Sequence, residues 1–119
     1  MDHKQFNVIL DKQLEDVRNT LETKAVEYAT GDRLHNFKKA ANLRGTDAKD
    51  ALGGMMVKHT VSIFDMIESQ EYFSADVWAE KITDHINYLI LLQAIVIDEQ
   101  TDPSIKQESL FPDDVSVNA

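Results

Sequence analysis

Apolar residues recur at helical spacing along most of this chain, and strand-like alternation is missing. Phe6, Leu10, Leu14, Val17, Leu21 and Tyr28 follow i, i+3, i+4 and i+7 steps, which predicts a long first helix from about Gln5 to Thr30. Gly31 ends it, and Asp32 is placed to cap a short second helix carrying Leu34, Phe37 and Ala41. Arg44-Gly45-Thr46-Asp47 reads as a turn, with Thr46 or Asp47 as the next cap. Gly53-Gly54 is expected to break the third segment, leaving Met55 to Glu68 firm. There Met56, Ile63 and Ile67, flanked by Val57 and Phe64, make the expected buried stripe. Ser74 caps a last helix from about Ala75 to Glu99. Only 2 prolines and 4 glycines punctuate the chain, so the expected fold is all-α, four helices in an antiparallel bundle.

The lower half of the last helix, Leu89 to Ile97, is apolar almost all round. A helix covered on one side only has no use for such a surface, so this one is central or is also buried against a second subunit. A homodimer or larger assembly is the expectation. Residues 1–100 form the expected helical domain, and residues 101–119 a tail. From Asp102 to Ala119 the chain holds both prolines, several acids and no periodicity, which predicts a disordered or loosely docked segment.

At 119 residues there is room for one domain with a modest core. Cysteine is absent, which excludes disulfides, thiolate metal sites and cysteine nucleophiles. The net charge of -9, from 21 acidic and 12 basic residues, disfavours binding to a phosphate backbone. No apolar segment follows Met1-Asp2-His3-Lys4 as a signal peptide requires, and the run from Tyr88 to Ile97 is too short to span a bilayer. The expected setting is soluble and intracellular, with no membrane partner.

Polar residues supply the functional clues. On a helix Glu80, Asp84 and Asn87 share one face (i, i+4, i+7), and that face continues into the apolar Leu91 and Ala94. Such a carboxylate pair is either an ordinary solvated arrangement or half-buried, and then in need of a cation, a donor or a metal. On the third helix Lys58, Ser62 and Asp65 share a face in the same way. Lys24 interrupts the first stripe between Leu21 and Tyr28, where a lysine commonly snorkels. A dense polar run, Asp32-Arg33-Leu34-His35-Asn36, follows the first break. His59 and His85 have no second ligand at a telling distance and read as ordinary helix residues. Each cluster has a bland explanation taken singly; polar groups on every helix of a small bundle together suggest a shared interior site.

The order Lys24, Tyr28, Asp32-Arg33, Asn36-Phe37, Lys58-His59, Ser62, Asp65, Glu80-Lys81, Asp84 and Asn87-Tyr88 resembles a group of small, mostly phage-encoded helical proteins linked loosely to nucleotide metabolism. More distantly, the helix from Glu80 to Leu92 is similar to the second motif helix of the all-α nucleoside triphosphate pyrophosphatases, the MazG-like and dimeric dUTPase group. That resemblance implies a helical oligomer that cleaves nucleoside triphosphates to monophosphates with Mg²⁺, held by an E-x-x-E pair and an E-x-x-D pair on successive helices. Asp84 matches the aspartate of the second pair, but Lys81 stands three residues before it and the glutamate, Glu80, four before. The preceding helix offers Lys58 and Asp65 where two glutamates belong, with Glu68 nearer its end. A lysine in place of a carboxylate removes a ligand and sets a cation beside the metal.

Three functions follow as expectations. In the first, a divergent Mg²⁺-dependent pyrophosphohydrolase, Glu80 and Asp84 are catalytic and hold the metal with Asp65. Lys58 and Arg33 bind phosphates, Asn36 or Asn87 reads the base or sugar, and Lys24 and Tyr28 complete the nucleotide site. In the second, the same residues bind a nucleotide without catalysis. The third is an interaction protein, such as a phage inhibitor of a host defence system, acting in the cytoplasm of a bacterial host through an acidic surface that mimics nucleic acid, its polar interior only specifying helix register.

Overall fold

The structure, a computed structural model, describes residues 1–27 and 31–101, with residues 25–27 described as helix backbone alone. Four helices follow one another: α1 (His3–Glu27), α2 (His35–Arg44), α3 (Ala48–Glu68) and α4 (Ala75–Gln100). The fold is all-α, and no strand occurs among the described residues. None of the described helices is long and apolar enough to cross a membrane. The tail from Asp102 onward and Tyr28 lie outside the described residues.

Local chemistry sets the helix ends. The Gln5 N–H donates to Asp2 Oδ1 at 2.7 Å and Gln5 Oε1 accepts from the Asp2 N–H at 2.9 Å. This reciprocal capping box moves the start of α1 to His3, two residues before the expected one. Asp47 caps α3 by accepting from the Asp50 N–H at 2.8 Å, and Ser74 caps α4 by accepting from the Val77 N–H at 3.3 Å. Gly45 closes α2 with φ of 69°, a left-handed turn in which the Thr46 N–H reaches Ala41 O at 2.9 Å.

Two expected boundaries are corrected. Asp32 does not sit at the cap of α2, whose cap position is Leu34 without a side-chain bond. Its Oδ1 instead accepts from the Leu34 N–H at 2.9 Å and shapes the approach to the helix. Gly53-Gly54 does not break α3, which runs through both. Two glycines cost about 1 kcal/mol each in a helix interior. Ala51 and Leu52, immediately before them, are buried, and that packing outweighs the local preference.

The core gathers at one end of the molecule. Leu52 of α3 and Ile95 of α4 are fully buried against Leu34 and Phe37, with Met55, Met56, Tyr88, Leu91 and Leu92 packed around them. Helices α3 and α4 run antiparallel, since Lys49 Nζ meets Glu99 Oε1 at 2.6 Å near one end and the His59 and Tyr88 rings meet farther along. Helix α2 packs on α3, whereas α1 packs on α4 alone. Helix α4 thus touches both α3 and α1, yet Leu89 and Ile90 on its apolar half keep 48% and 41% of their surface.

Two stripes differ from expectation. On α3 the face that meets α4 carries Leu52, Met56, Ile63 and Met66, while Val57, Phe64 and Ile67 point outward and stay more than half exposed. Among the described α1 side chains Val17 is the buried apolar one, whereas Phe6, Leu10 and Leu14 remain exposed.

One ion cluster ties the ends of this core together. Lys38 Nζ lies 2.7 Å from Asp32 Oδ2 and 3.2 Å from Asp98 Oδ2, joining the α2 approach to the last turn of α4. The Lys38 hydrogen bond, and after it the Leu34 N–H, hold the Asp32 carboxyl below its usual range. A depressed carboxyl pKa stabilises the fold above the unfolded value of about 3.9, and that contribution is lost as pH falls through the folded value. All three side chains are 43–51% exposed, so the contribution is at most about 1 kcal/mol. In urea unfolding, Asp32→Asn is expected to lower the midpoint slightly at neutral pH. The difference from wild type should shrink as pH falls below the unfolded carboxyl value of about 3.9.

Candidate functional site

Where α1, the α2 approach, α3 and α4 converge they leave a hollow of about 130 Å³. Its floor is apolar, formed by Leu21, Phe37 and Leu91, and its polar lining is Lys24, Arg33, His59, Asp84, Asn87 and Tyr88. Lys24 stands in the last turn of α1. Arg33 crosses from the α2 approach, and its Nη2 donates to the Leu21 carbonyl at 3.2 Å, which fixes the guanidinium against the α1 wall. The His59 and Tyr88 rings lie 4.8 Å apart at a 44° tilt, making an aromatic edge between α3 and α4.

Asn87 is the distinctive member. It is 6% exposed, and its Oδ1 is buried with no hydrogen-bond partner. Thr83, one turn earlier on α4, is equally buried, but its Oγ1 accepts from Gln13 Nε2 at 2.8 Å. Helix α1 therefore satisfies one of two buried polar groups and leaves the other, on a residue that lines the hollow, without a partner. An unmet buried acceptor costs about 1–3 kcal/mol, which a fold tolerates where a ligand supplies the missing donor.

A second hollow of about 270 Å³ lies between α1 and the first half of α4 and has the opposite character. Asp16, Asp76, Glu80 and Asp84 line it, with Lys12 bonded to Asp16 at its edge. Asp84 is half-buried and belongs to the lining of both hollows. Cations and the unmet amide oxygen lie to one side of it, and carboxylates to the other.

Among the expected site residues, Lys24, Arg33, Asp84 and Asn87 meet in the first hollow, and Glu80 joins Asp84 in the second. Lys58 and Asp65 are exposed on α3, Asn36 is exposed on α2, and none of the three lines either hollow. Asp65 therefore does not join Glu80 and Asp84. Among the described residues no group of three or more His, Asp or Glu side chains is placed to hold a metal ion.

Sequence reasoning missed His59 and Tyr88. The signal was present: His59 stands seven residues from both Leu52 and Met66, on the face that α3 buries, and Tyr88 shares a face with Leu91, Leu92 and Ile95. His85, the other histidine read as ordinary, has a buried Nδ1 without a partner but lines neither hollow. Comparison of the chain with models of protein families, with curated proteins and with solved structures gives no match.

The unmet oxygen makes a prediction about stability. Asn87→Leu removes an unpaired buried acceptor at similar volume, so urea unfolding should show stability equal to wild type or up to about 1 kcal/mol higher. A loss of several kcal/mol would show that the amide is a structural partner.

Proposed function

We propose that this protein binds a nucleotide-type phosphorylated ligand, with the anionic end between Lys24 and Arg33 and a hydrogen-bond donor of the ligand on Asn87 Oδ1. The observation that carries the reading is the unpartnered buried oxygen of Asn87, a residue that lines the hollow together with Lys24, Arg33 and an aromatic edge. Arg33 suits the fork geometry of phosphate oxygens, Lys24 adds a point charge, and His59 with Tyr88 offers a stacking surface for a base. At about 130 Å³ the hollow falls below the roughly 300–1,000 Å³ of drug-sized ligand pockets. The anionic end enters it, and the base meets only the His59–Tyr88 edge, with the rest of the ligand outside.

Asp84 favours a second reading, a Mg²⁺-dependent nucleoside triphosphate pyrophosphohydrolase. A triphosphate lying over Asp84 would reach from the cations toward Asp16, Asp76 and Glu80, and a cation brought by the nucleotide would meet carboxylates there. Glu80 and Asp84 are the residues that would act in this reading. The binding reading ranks first because the described carboxylates do not form a ligand set.

Thermal shift against nucleoside mono- and triphosphates, each with and without Mg²⁺, separates the two. Binding at 100 times Kd adds about 2.7 kcal/mol of apparent stability. The expected result is a rise in Tm without Mg²⁺ that Lys24→Ala and Asn87→Leu each abolish. Lys24 is exposed, so its replacement leaves the core alone. Release of monophosphate only with Mg²⁺, lost in Glu80→Gln, would establish the second reading. Absence of any shift, or a shift that neither variant changes, would rule out this hollow as the site.

A further inference from the structure

Arg33 is the one polar residue of the hollow's lining that stands in a turn; Lys24, His59, Asp84, Asn87 and Tyr88 stand on helices. Its turn runs from Asp32 into the start of α2. The His35 N–H donates to the Asp32 carbonyl at 3.1 Å, and the Leu34 N–H donates to Asp32 Oδ1 at 2.9 Å. Leu34, with φ of -101° and ψ of 8°, has the backbone of the third residue in a type I turn. Asp32 thus closes the turn twice, once with its main chain and once with its side chain, and Arg33 is held between. At the exit Leu34 is 7% exposed and belongs to the core, which anchors that end.

We propose that Asp32 is a positioning residue for the phosphate-binding Arg33: it fixes the backbone from which the guanidinium starts. The role of Arg33 rests on the ligand reading above. A long flexible side chain needs both ends held to present its fork in one place. The Arg33 Nη2 bond to the Leu21 carbonyl at 3.2 Å holds one end, and the Asp32 turn holds the other. Asp32 lies outside the lining of the hollow, so it acts through Arg33 and not on the ligand. A bare carboxylate beside an anion site would oppose binding. Asp32 Oδ2 instead meets Lys38 Nζ at 2.7 Å, which offsets that charge and leaves Oδ1 for the Leu34 N–H.

Three variants of the full chain separate the turn from the ion pair. Asp32→Ala removes the side-chain bond of the turn. Asp32→Asn keeps an oxygen for the Leu34 N–H and loses the charge, and Lys38→Met loses both ion pairs and keeps the turn. Nuclear magnetic resonance of the Arg33 guanidinium in the ligand-free protein reads its anchoring as slow exchange with water. Slow exchange is expected in wild type, Asp32→Asn and Lys38→Met, and is expected to be lost in Asp32→Ala. Titration with adenosine 5′-monophosphate and with inorganic phosphate should show a Kd raised about tenfold in Asp32→Ala and within about twofold of wild type in the other two. Affinity that falls in all three variants in step with their urea midpoints would show a merely structural role and overturn the proposal. So would an Arg33 as slow to exchange in Asp32→Ala as in wild type, or an unchanged Kd in that variant. If neither anion binds the wild-type chain, the ligand reading falls. Arg33 exchange in Asp32→Ala then decides the positioning role alone, its loss supporting the role and its retention overturning it.

Discussion

Helix α4 carries more apolar surface than a single neighbour can cover, and the arrangement of the other helices follows from that. From Tyr88 to Ile95 its inner face meets Leu52, Met55 and Met56 of α3 and is closed at the end by Leu34 and Phe37 of the α2 region. Burial of Leu52 and Ile95 is worth roughly 1.5–3 kcal/mol each, enough to hold α3 helical through two glycines. The Lys38 and Lys49 ion pairs lie around this packed end, where they fix orientation and add little energy.

The hollow at Asn87 is a consequence of the same geometry. Toward its N-terminal half α4 becomes polar, and α1 crosses it there with a helix whose own buried contribution is modest. Gln13 meets Thr83, Val17 is buried, and the next turn leaves Asn87 without a hydrogen-bond partner for its oxygen. Arg33 is held against α1 through the Leu21 carbonyl, and His59 is held against Tyr88, so the walls are set before any ligand arrives. A core placed at one end of the molecule thus leaves its middle open to polar chemistry.

Much of this was legible in the sequence. The four helices and the caps at Asp47 and Ser74 follow from spacing and side-chain chemistry, and polar residues on every helix suggested a shared interior site without saying which of them meet. What spacing could not supply is which of two apolar faces a helix buries. Helix α3 has one face through Leu52, His59 and Met66 and another through Val57, Phe64 and Ile67, both periodic. The choice is made by α4 and the α2 region, which pack on the first. That rotation turned His59 toward the hollow and left Lys58 and Asp65 outside it. On α1, periodicity marked Phe6 to Tyr28 as one stripe but could not say how much of it a neighbour reaches. That Phe6, Leu10 and Leu14 stay exposed is a tertiary fact.

In the proposed complex Asn87 offers an acceptor to a phosphorylated ligand in the hollow that it lines with Lys24 and Arg33. Nuclear magnetic resonance of the labelled protein, titrated with nucleoside mono- and triphosphates, tests it at the residue. The expected result is saturable shifts of the Asn87 side-chain amide, together with His59 and the Arg33 guanidinium, at one common Kd. The amide signal itself is assigned by its loss in Asn87→Leu. Shifts confined to Asp16, Asp76 and Glu80, or no saturable shift at Asn87 at any ligand concentration, would contradict it.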